Sequence, residues 1–227
     1  MENIKEIKKG IRISKTTATE ANLYLYNNTL YKIFNSEIMD LETRKDILNT
    51  LYKHPIEGCA RIESLLYGSS LLGYGMEYYG NFITLNKTKK IPLELRKEYS
   101  HKLIDIYRKL SEAGYIYYDF HKQNILVNEN DLKLIDIDSC LYNSRENNAL
   151  GMRYLNEIVL SILFDTNFFE YQVYYTKCER KCFCDILYSG LSYEYCENGS
   201  LDELDDYIDS LEEKDIKMIT KKLPKGF

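Results

Sequence analysis

The sequence predicts an α+β fold in which strands come first and helices follow. Three observations carry this. Residues 11–34 and 60–77 hold short β-type runs broken by turn chemistry. Residues 92–113 place apolar side chains at spacings of three and four, the signature of a long amphipathic helix. Residues 125–135 form two apolar runs around a polar tip, and helical periodicity returns after them. At 227 residues the chain can bury one large core or two small lobes, and a 44% hydrophobic content suits a globular protein.

In chain order, Ile11-Arg12-Ile13 opens the first strand, and Ala21–Tyr26 and Thr29–Phe34 pair across an Asn27-Asn28 turn. The connection at residues 14–20 is built of small residues (Thr16, Thr17, Ala18, Thr19) and has no glycine. Residues 40–53 have helical period, with Leu41, Ile47, Leu48, Leu51 and Tyr52 on one face and a stop before Pro55. Residues 60–66 and Leu71–Glu77 read as two more strands. The helix at 92–113 has Pro92 in its first turn, a stripe of Leu95, Tyr99, Leu103, Ile106 and Leu110, and Gly114 at its end. His101, beside that stripe, is read as a packing residue. Residues 149–164 are a strongly apolar helix, and 165–227 read as two or three further helices. One of them opens at Ser200-Leu201-Asp202-Glu203, whose acidic first turn suits a helix N-terminus.

Composition excludes some functions. The net charge is −5 and the basic residues are dispersed, so the clusters that neutralise nucleic-acid phosphates are missing. No apolar run approaches the ~20 residues that span a bilayer, and Met1-Glu2-Asn3-Ile4-Lys5 starts no signal peptide. A cytoplasmic protein without a membrane partner is expected. Six cysteines in such a chain are expected to be reduced thiols. Cys178, Cys182, Cys184 and Cys196 lack paired metal-site spacing and have no histidine among them, so no metal is expected there. The basic run at residues 221–225 is read as solvated.

The chemistry gathers at the 125–135 hairpin. Asp119 precedes it, Asn124 stands at its entrance and Asp136 at its exit. A hairpin brings its ends together, so the three side chains can converge. A carboxylate base with an amide and a second carboxylate as oxygen ligands is what Mg²⁺ and a phosphoryl acceptor require. An ordinary hairpin with polar ends explains any one of these residues, but not all three at this spacing.

Here the chain resembles the protein-kinase-like superfamily. Tyr117-Tyr118-Asp119-Phe120-His121-Lys122-Gln123-Asn124 is similar to its catalytic loop, and Ile135-Asp136-Ile137-Asp138 stands where its Asp-Phe-Gly is expected. His121, two places after the aspartate, looks more like bacterial antibiotic and small-molecule kinases. The resemblance implies a two-lobed kinase-like fold, with an antiparallel-sheet N-lobe (residues 1–80) and a mainly helical C-lobe (residues 81–227). It implies ATP and Mg²⁺ as cofactors. Asp119 would be the base and His121 a helper at the phosphate or in the loop. Asn124 and Asp136 would be metal ligands, with Asp138 in second place. Lys32 would hold the ATP phosphates. A helix acid is expected to pair with Lys32; the matching position is nearer Arg44, so Glu42 is taken as the closest acid, with Glu37 and Asp46 as alternatives. Leu72-Gly73-Tyr74-Gly75-Met76-Glu77-Tyr78-Tyr79-Gly80 resembles a kinase hinge, with Met76 backing the adenine and Glu77 and Tyr79 facing its edge. Two departures stand out: the phosphate-covering stretch lacks glycine, and no Ala-Pro-Glu segment follows Asp138. The acceptor is expected to be a protein Ser/Thr, with a small hydroxylated molecule of aminoglycoside or choline type as the alternative, and a pseudokinase that binds without turnover is the competing reading.

Overall fold

The computed structural model describes residues 3–13, 20–35, 40–166 and 200–222. A short helix, α1 (Ile4–Ile7), is capped by the Asn3 side chain. It leads into a five-stranded antiparallel sheet of β1 (Ile11–Arg12), β2 (Ala21–Tyr26), β3 (Thr29–Phe34), β4 (Ile62–Tyr67) and β5 (Leu71–Glu77), ordered β1-β2-β3-β5-β4. The Asn27-Asn28 turn forms as expected. Both residues have positive φ (49° and 63°), the left-handed pair that a two-residue hairpin needs and asparagine tolerates. Strand β5 passes so close to β3 that a Cβ on Gly73 would collide with the Lys32 carbonyl oxygen. Only glycine allows this approach, which sets Lys32 opposite Tyr74.

Helix α2 (Leu41–Lys53) lies between β3 and β4 in the chain and buries Ile47, Leu48 and Leu51. Tyr52, expected with them, is exposed. At 3.6 residues per turn it stands roughly 90° from the middle of the stripe that those three define. Strand β4 begins at residue 62 rather than 60 because the preceding backbone is committed elsewhere. Ala60 N–H donates to the Leu134 carbonyl at 2.8 Å, and Leu134 N–H donates to that of Gly58 at 2.8 Å. These bonds join the N-terminal part to the hairpin that carries the candidate chemistry.

Beyond the sheet, β6 (Ile83–Thr84) and a 3₁₀ turn (Leu85–Lys87) lead to α3 (Leu93–Glu112), and Gly114 closes it with φ of 90°. Leu103, Ile104 and Leu110 of α3 are wholly buried, and each contributes roughly 1.5–3 kcal/mol. The chain continues through β7 (Tyr115–Ile116), β8 (Ile125–Val127), β9 (Leu132–Leu134), a 3₁₀ turn (Ile137–Ser139), β10 (Leu141–Tyr142) and α4 (Arg145–Leu163). Strands β8 and β9 are the expected hairpin, extended by β6 on the β8 side. Its tip is held by the Asn128 side chain, which accepts from the backbone N–H of Asn130 (3.0 Å) and Asp131 (2.8 Å). Helix α4 starts four residues before the expected 149 because Ser144 caps it, accepting from Asn147 N–H at 3.1 Å.

Ser200 and Glu203 form a reciprocal capping box at the start of α5 (Leu201–Ser210), and α6 (Glu213–Thr220) follows. His101 of α3 packs α3 against α5 through polar contacts. Its ring nitrogens meet Asp205 (2.8 Å) and Asp209 (3.1 Å), tying α3 to α5. A sheet-based N-lobe and a helical C-lobe are thus joined by one continuous core. No helix among the described residues is long and apolar enough to cross a membrane. Cys59 and Cys140 are buried free thiols, and burial pushes the Cys59 thiol up to about 12. Residues 14–19, Glu37 and the cysteines from 178 to 196 lie outside the described residues.

Candidate active site

A cavity of about 680 Å³ lies between the sheet and the β8–β9 hairpin. Leu23 and Leu30 form its upper wall, Met76 to Gly80 one side, and Leu126 and Ile135 its floor. Lys32, Asn124 and Asp136 make its polar end. An apolar pocket of this size with a few convergent polar groups is the usual form of a small-molecule site.

Lys32 reaches this end from β3, and its side chain is only 7% exposed. It pairs with Asp136 and, at 2.8 Å, with Asp138 Oδ1. Burial alone would lower the lysine's pKa. The two carboxylates outweigh that and hold it above its ordinary value. Asp136 adopts left-handed backbone (φ 61°), unusual for a residue with a Cβ and common where a functional group must be aimed. Burial raises its carboxyl pKa, and the adjacent Asp138 charge adds to this against the pull of Lys32.

Two residues on, Asp138 is wholly buried and accepts four hydrogen bonds. Lys32 Nζ donates to both its oxygens (2.8 and 3.1 Å), Tyr74 Oη donates to Oδ1 (2.7 Å) and Arg44 Nη1 donates to Oδ2 (2.7 Å). Burial would raise this carboxyl, but Lys32, Tyr74 and Arg44 bring it below the usual carboxylate range. Asp138, expected in second place at a metal, has its acceptor directions taken here by Lys32, Tyr74 and Arg44. Arg44, from α2, also donates to Glu20 at 3.1 Å.

The expected pairing of Glu42 with Lys32 is not made. The Glu42 side chain is 80% exposed and pairs with Lys45 at 3.0 Å, one turn along α2. Asp46, the alternative, accepts from Tyr142 Oη at 2.8 Å. The α2 residue that does reach this cluster is Arg44, a cation where an acid was sought. Its signal in the sequence was position alone.

The loop before the hairpin holds the other expected residues. Asn124 Nδ2 donates to Asp119 Oδ2 (2.9 Å), the Asp119 carbonyl (3.2 Å) and Tyr117 Oη (3.1 Å). The amide is anchored through its nitrogen, which leaves Oδ1 as the atom for a ligand. Ile135 N–H donates to the Asn124 carbonyl at 2.9 Å, so the two ends of the hairpin are bonded just before Asp136. His121 Nε2 lies 3.6 Å from Asp119 Oδ2, and His121 Nδ1 is buried with no hydrogen-bond partner. Lys122 is turned away, donating to the Thr166 carbonyl at 2.8 Å. On the hinge side, Tyr79 Oη accepts from Arg61 N–H (3.1 Å) and donates to Glu77 (3.2 Å), which pins Glu77 and Tyr79 along the cavity they line.

A divalent cation fits this donor set. Mg²⁺ takes one or two carboxylates and fills its other positions with water and phosphate oxygens, and Asp136 with Asn124 Oδ1 offers that combination. No group of three or more His, Cys, Asp or Glu side chains arranged for a metal occurs among the described residues.

No family model and no curated protein matches the sequence. Among solved structures, the chain is similar to a mutant form of the Mycobacterium tuberculosis PknI kinase domain, with a TM-score of 0.59 and 11% identity. The match covers 87% of this chain and 92% of that one. Such a likeness speaks for architecture, and on it the chain has a two-lobed protein-kinase-like fold.

Proposed function

We propose that this chain is an ATP- and Mg²⁺-dependent phosphotransferase acting on a hydroxyl group. The observation that carries the reading is the polar end of the cavity, where Lys32, Asn124 and Asp136 meet beside a largely apolar chamber. A nucleotide base would occupy the apolar part, against Met76 and beside Glu77 and Tyr79. Lys32 would hold the phosphates. Asn124 Oδ1 and Asp136 would hold Mg²⁺, which when bound supplies charge neutralisation at phosphate oxygens. The Lys32–Asp136 pair has to open for this.

Asp119 would orient the acceptor hydroxyl and take its proton. Asn124 aims the carboxylate through one oxygen and leaves the other for substrate. His121, whose Nε2 lies 3.6 Å from Asp119 Oδ2, would order the loop or touch the transferred phosphoryl group. The protein's contribution in such chemistry is positioning and electrostatic stabilisation. The acceptor is a protein Ser/Thr or a small molecule. Only residues 140–144 separate the 3₁₀ turn from α4, too few for a long peptide-seating loop, and this favours the small molecule. A pseudokinase is the second reading, favoured by the same Lys32–Asp136 pair, which occupies the phosphate and metal groups at once.

The test pairs nucleotide-dependent thermal shift with ATP consumption, with and without Mg²⁺, for the wild type and Asp136→Asn. Expected is an upward shift with ATP that is larger with Mg²⁺, and a variant that loses the Mg²⁺ increment and turnover. No shift at millimolar nucleotide would refute the reading. Binding without turnover across proteins and small hydroxyl compounds would favour the pseudokinase.

A further inference from the structure

We infer that Asp138 is the positioning residue for Lys32, and that Arg44 of α2 is the counter-charge that fixes Asp138. The consequence for nucleotide binding rests on the phosphotransferase reading, in which Lys32 is the phosphate ligand.

A buried ammonium keeps its charge and its place only beside a carboxylate that stays put. Two carboxylates touch Lys32, and they differ in freedom. The Asp136 side chain is 32% exposed and lines the cavity, so it can exchange Lys32 for a cation. Asp138 has no exposure and no spare acceptor direction, so it cannot turn. Helix α2 offers Lys32 no acid, since Glu42 faces solvent and Asp46 holds Tyr142. It offers Arg44, whose Nη1 grips Asp138 Oδ2 while Nη2 reaches Glu20 on the cavity wall. The carboxylate that holds the strand lysine therefore comes from the segment after Asp136, and the helix contributes the cation.

Charge balance gives this arrangement a use. Lys32 and Arg44 carry two positive charges against the two negative charges of Asp136 and Asp138. The buried members balance, and Glu20, more than half exposed, adds a carboxylate on the solvent side of Arg44. When Asp136 turns to a cation, one positive charge is left uncompensated in a largely buried setting, where Coulombic attraction for a polyphosphate is strong. Asp138 keeps that charge from collapsing into the core. The position of α2 reaches Lys32 through Arg44 and Asp138 rather than by direct contact.

The experiment measures ATP affinity and melting temperature for the wild type, Asp138→Asn, Arg44→Glu, the double variant Arg44→Glu/Asp138→Asn, and Tyr74→Phe. Asp138→Asn keeps the shape and removes the charge, and should weaken ATP binding by about tenfold or more. The double variant returns a single carboxylate, now from the helix side of the cluster, and should recover part of the lost affinity and melting temperature. Arg44→Glu alone crowds a second carboxylate against Asp138 and should melt lower than the double variant. A packing role would give no such rescue. Tyr74→Phe retains every charge and most of the volume, and should give a smaller loss of affinity; it serves as the reporter if Asp138→Asn fails to fold. Wild-type affinity in Asp138→Asn, or in Tyr74→Phe where the asparagine variant does not fold, overturns the inference. So does a double variant no better than Asp138→Asn. A wild type that binds no nucleotide overturns the phosphotransferase reading and this role together, whereas a binding wild type with indifferent variants overturns this role alone.

Discussion

The loop at residues 117–124 and the cluster around Asp138 both set a carboxylate beside a basic side chain, and they do so in opposite ways. In the loop, the side chains of Asp119 and His121 are 38% and 36% exposed, they lie 3.6 Å apart, and one Asp119 oxygen is held by Asn124. In the cluster, Asp138 is sealed and every acceptor direction is used. A group that must take up a proton or a ligand needs an unfilled valence and space beside it. A group that must hold another in place needs neither. Asp136 stands between the two, accessible yet paired, as expected of a ligand that exchanges one cation for another.

If that contrast is right, the two carboxylates fail differently when removed. Asp119→Asn should lower kcat by roughly 10²–10⁴, the scale of general-base catalysis, with little change in ATP affinity or melting temperature. Steady-state kinetics beside thermal shift reads both, and turnover that survives undiminished removes the base assignment. Asp138→Ala should do its harm before any substrate arrives. It leaves Lys32 and Arg44 facing each other in the interior without their carboxylate, and stripping one member from a buried ion pair costs about 3–5 kcal/mol. Against a typical total of about 5–15 kcal/mol, that is a large share, and urea unfolding would register it as a lower midpoint. Equal stability of the alanine variant and the wild type would mean that the cluster is not a fixed anchor.

The sequence showed the open region better than the sealed one, for a physical reason. The β8–β9 hairpin and α3 are local structures, written in apolar period and turn residues such as Asn128 and Gly114. Asn124 and Asp136 follow from them because a hairpin joins its own ends. The Arg44–Asp138 bond crosses 94 positions and leaves no periodic trace. The expected α2 position falls nearest Arg44, but a kinase-type pairing calls for an acid there, so the sequence points to Glu42 instead. Asp138 read as a spare metal ligand because burial cannot be told between two aspartates two residues apart. Here the left-handed turn at Asp136 separates them, one to the cavity and one to the core. The partners of His101 are hidden for the same reason, since Asp205 and Asp209 come to it from a helix about a hundred residues away.

The smallest expected effect sharpens the comparison from outside. Glu42 stands six residues before Leu48 and looks away from the cavity, with Lys45 as its partner. An exposed ion pair one turn apart on a helix is screened by water and salt, and many such pairs contribute nothing measurable. Glu42→Gln should therefore leave ATP affinity, turnover and melting temperature at their wild-type values, in plain contrast to any change at Asp138. The measurement also tests whether α2 turns about its own axis when nucleotide binds. Were α2 to turn so that Glu42 replaced Arg44 beside Lys32 when nucleotide binds, the variant would melt normally without nucleotide and lose affinity with it. A loss confined to the nucleotide-bound state would show that the Arg44–Asp138 bond belongs to a resting form. An unchanged affinity would leave Asp138 as the partner of Lys32 in both states.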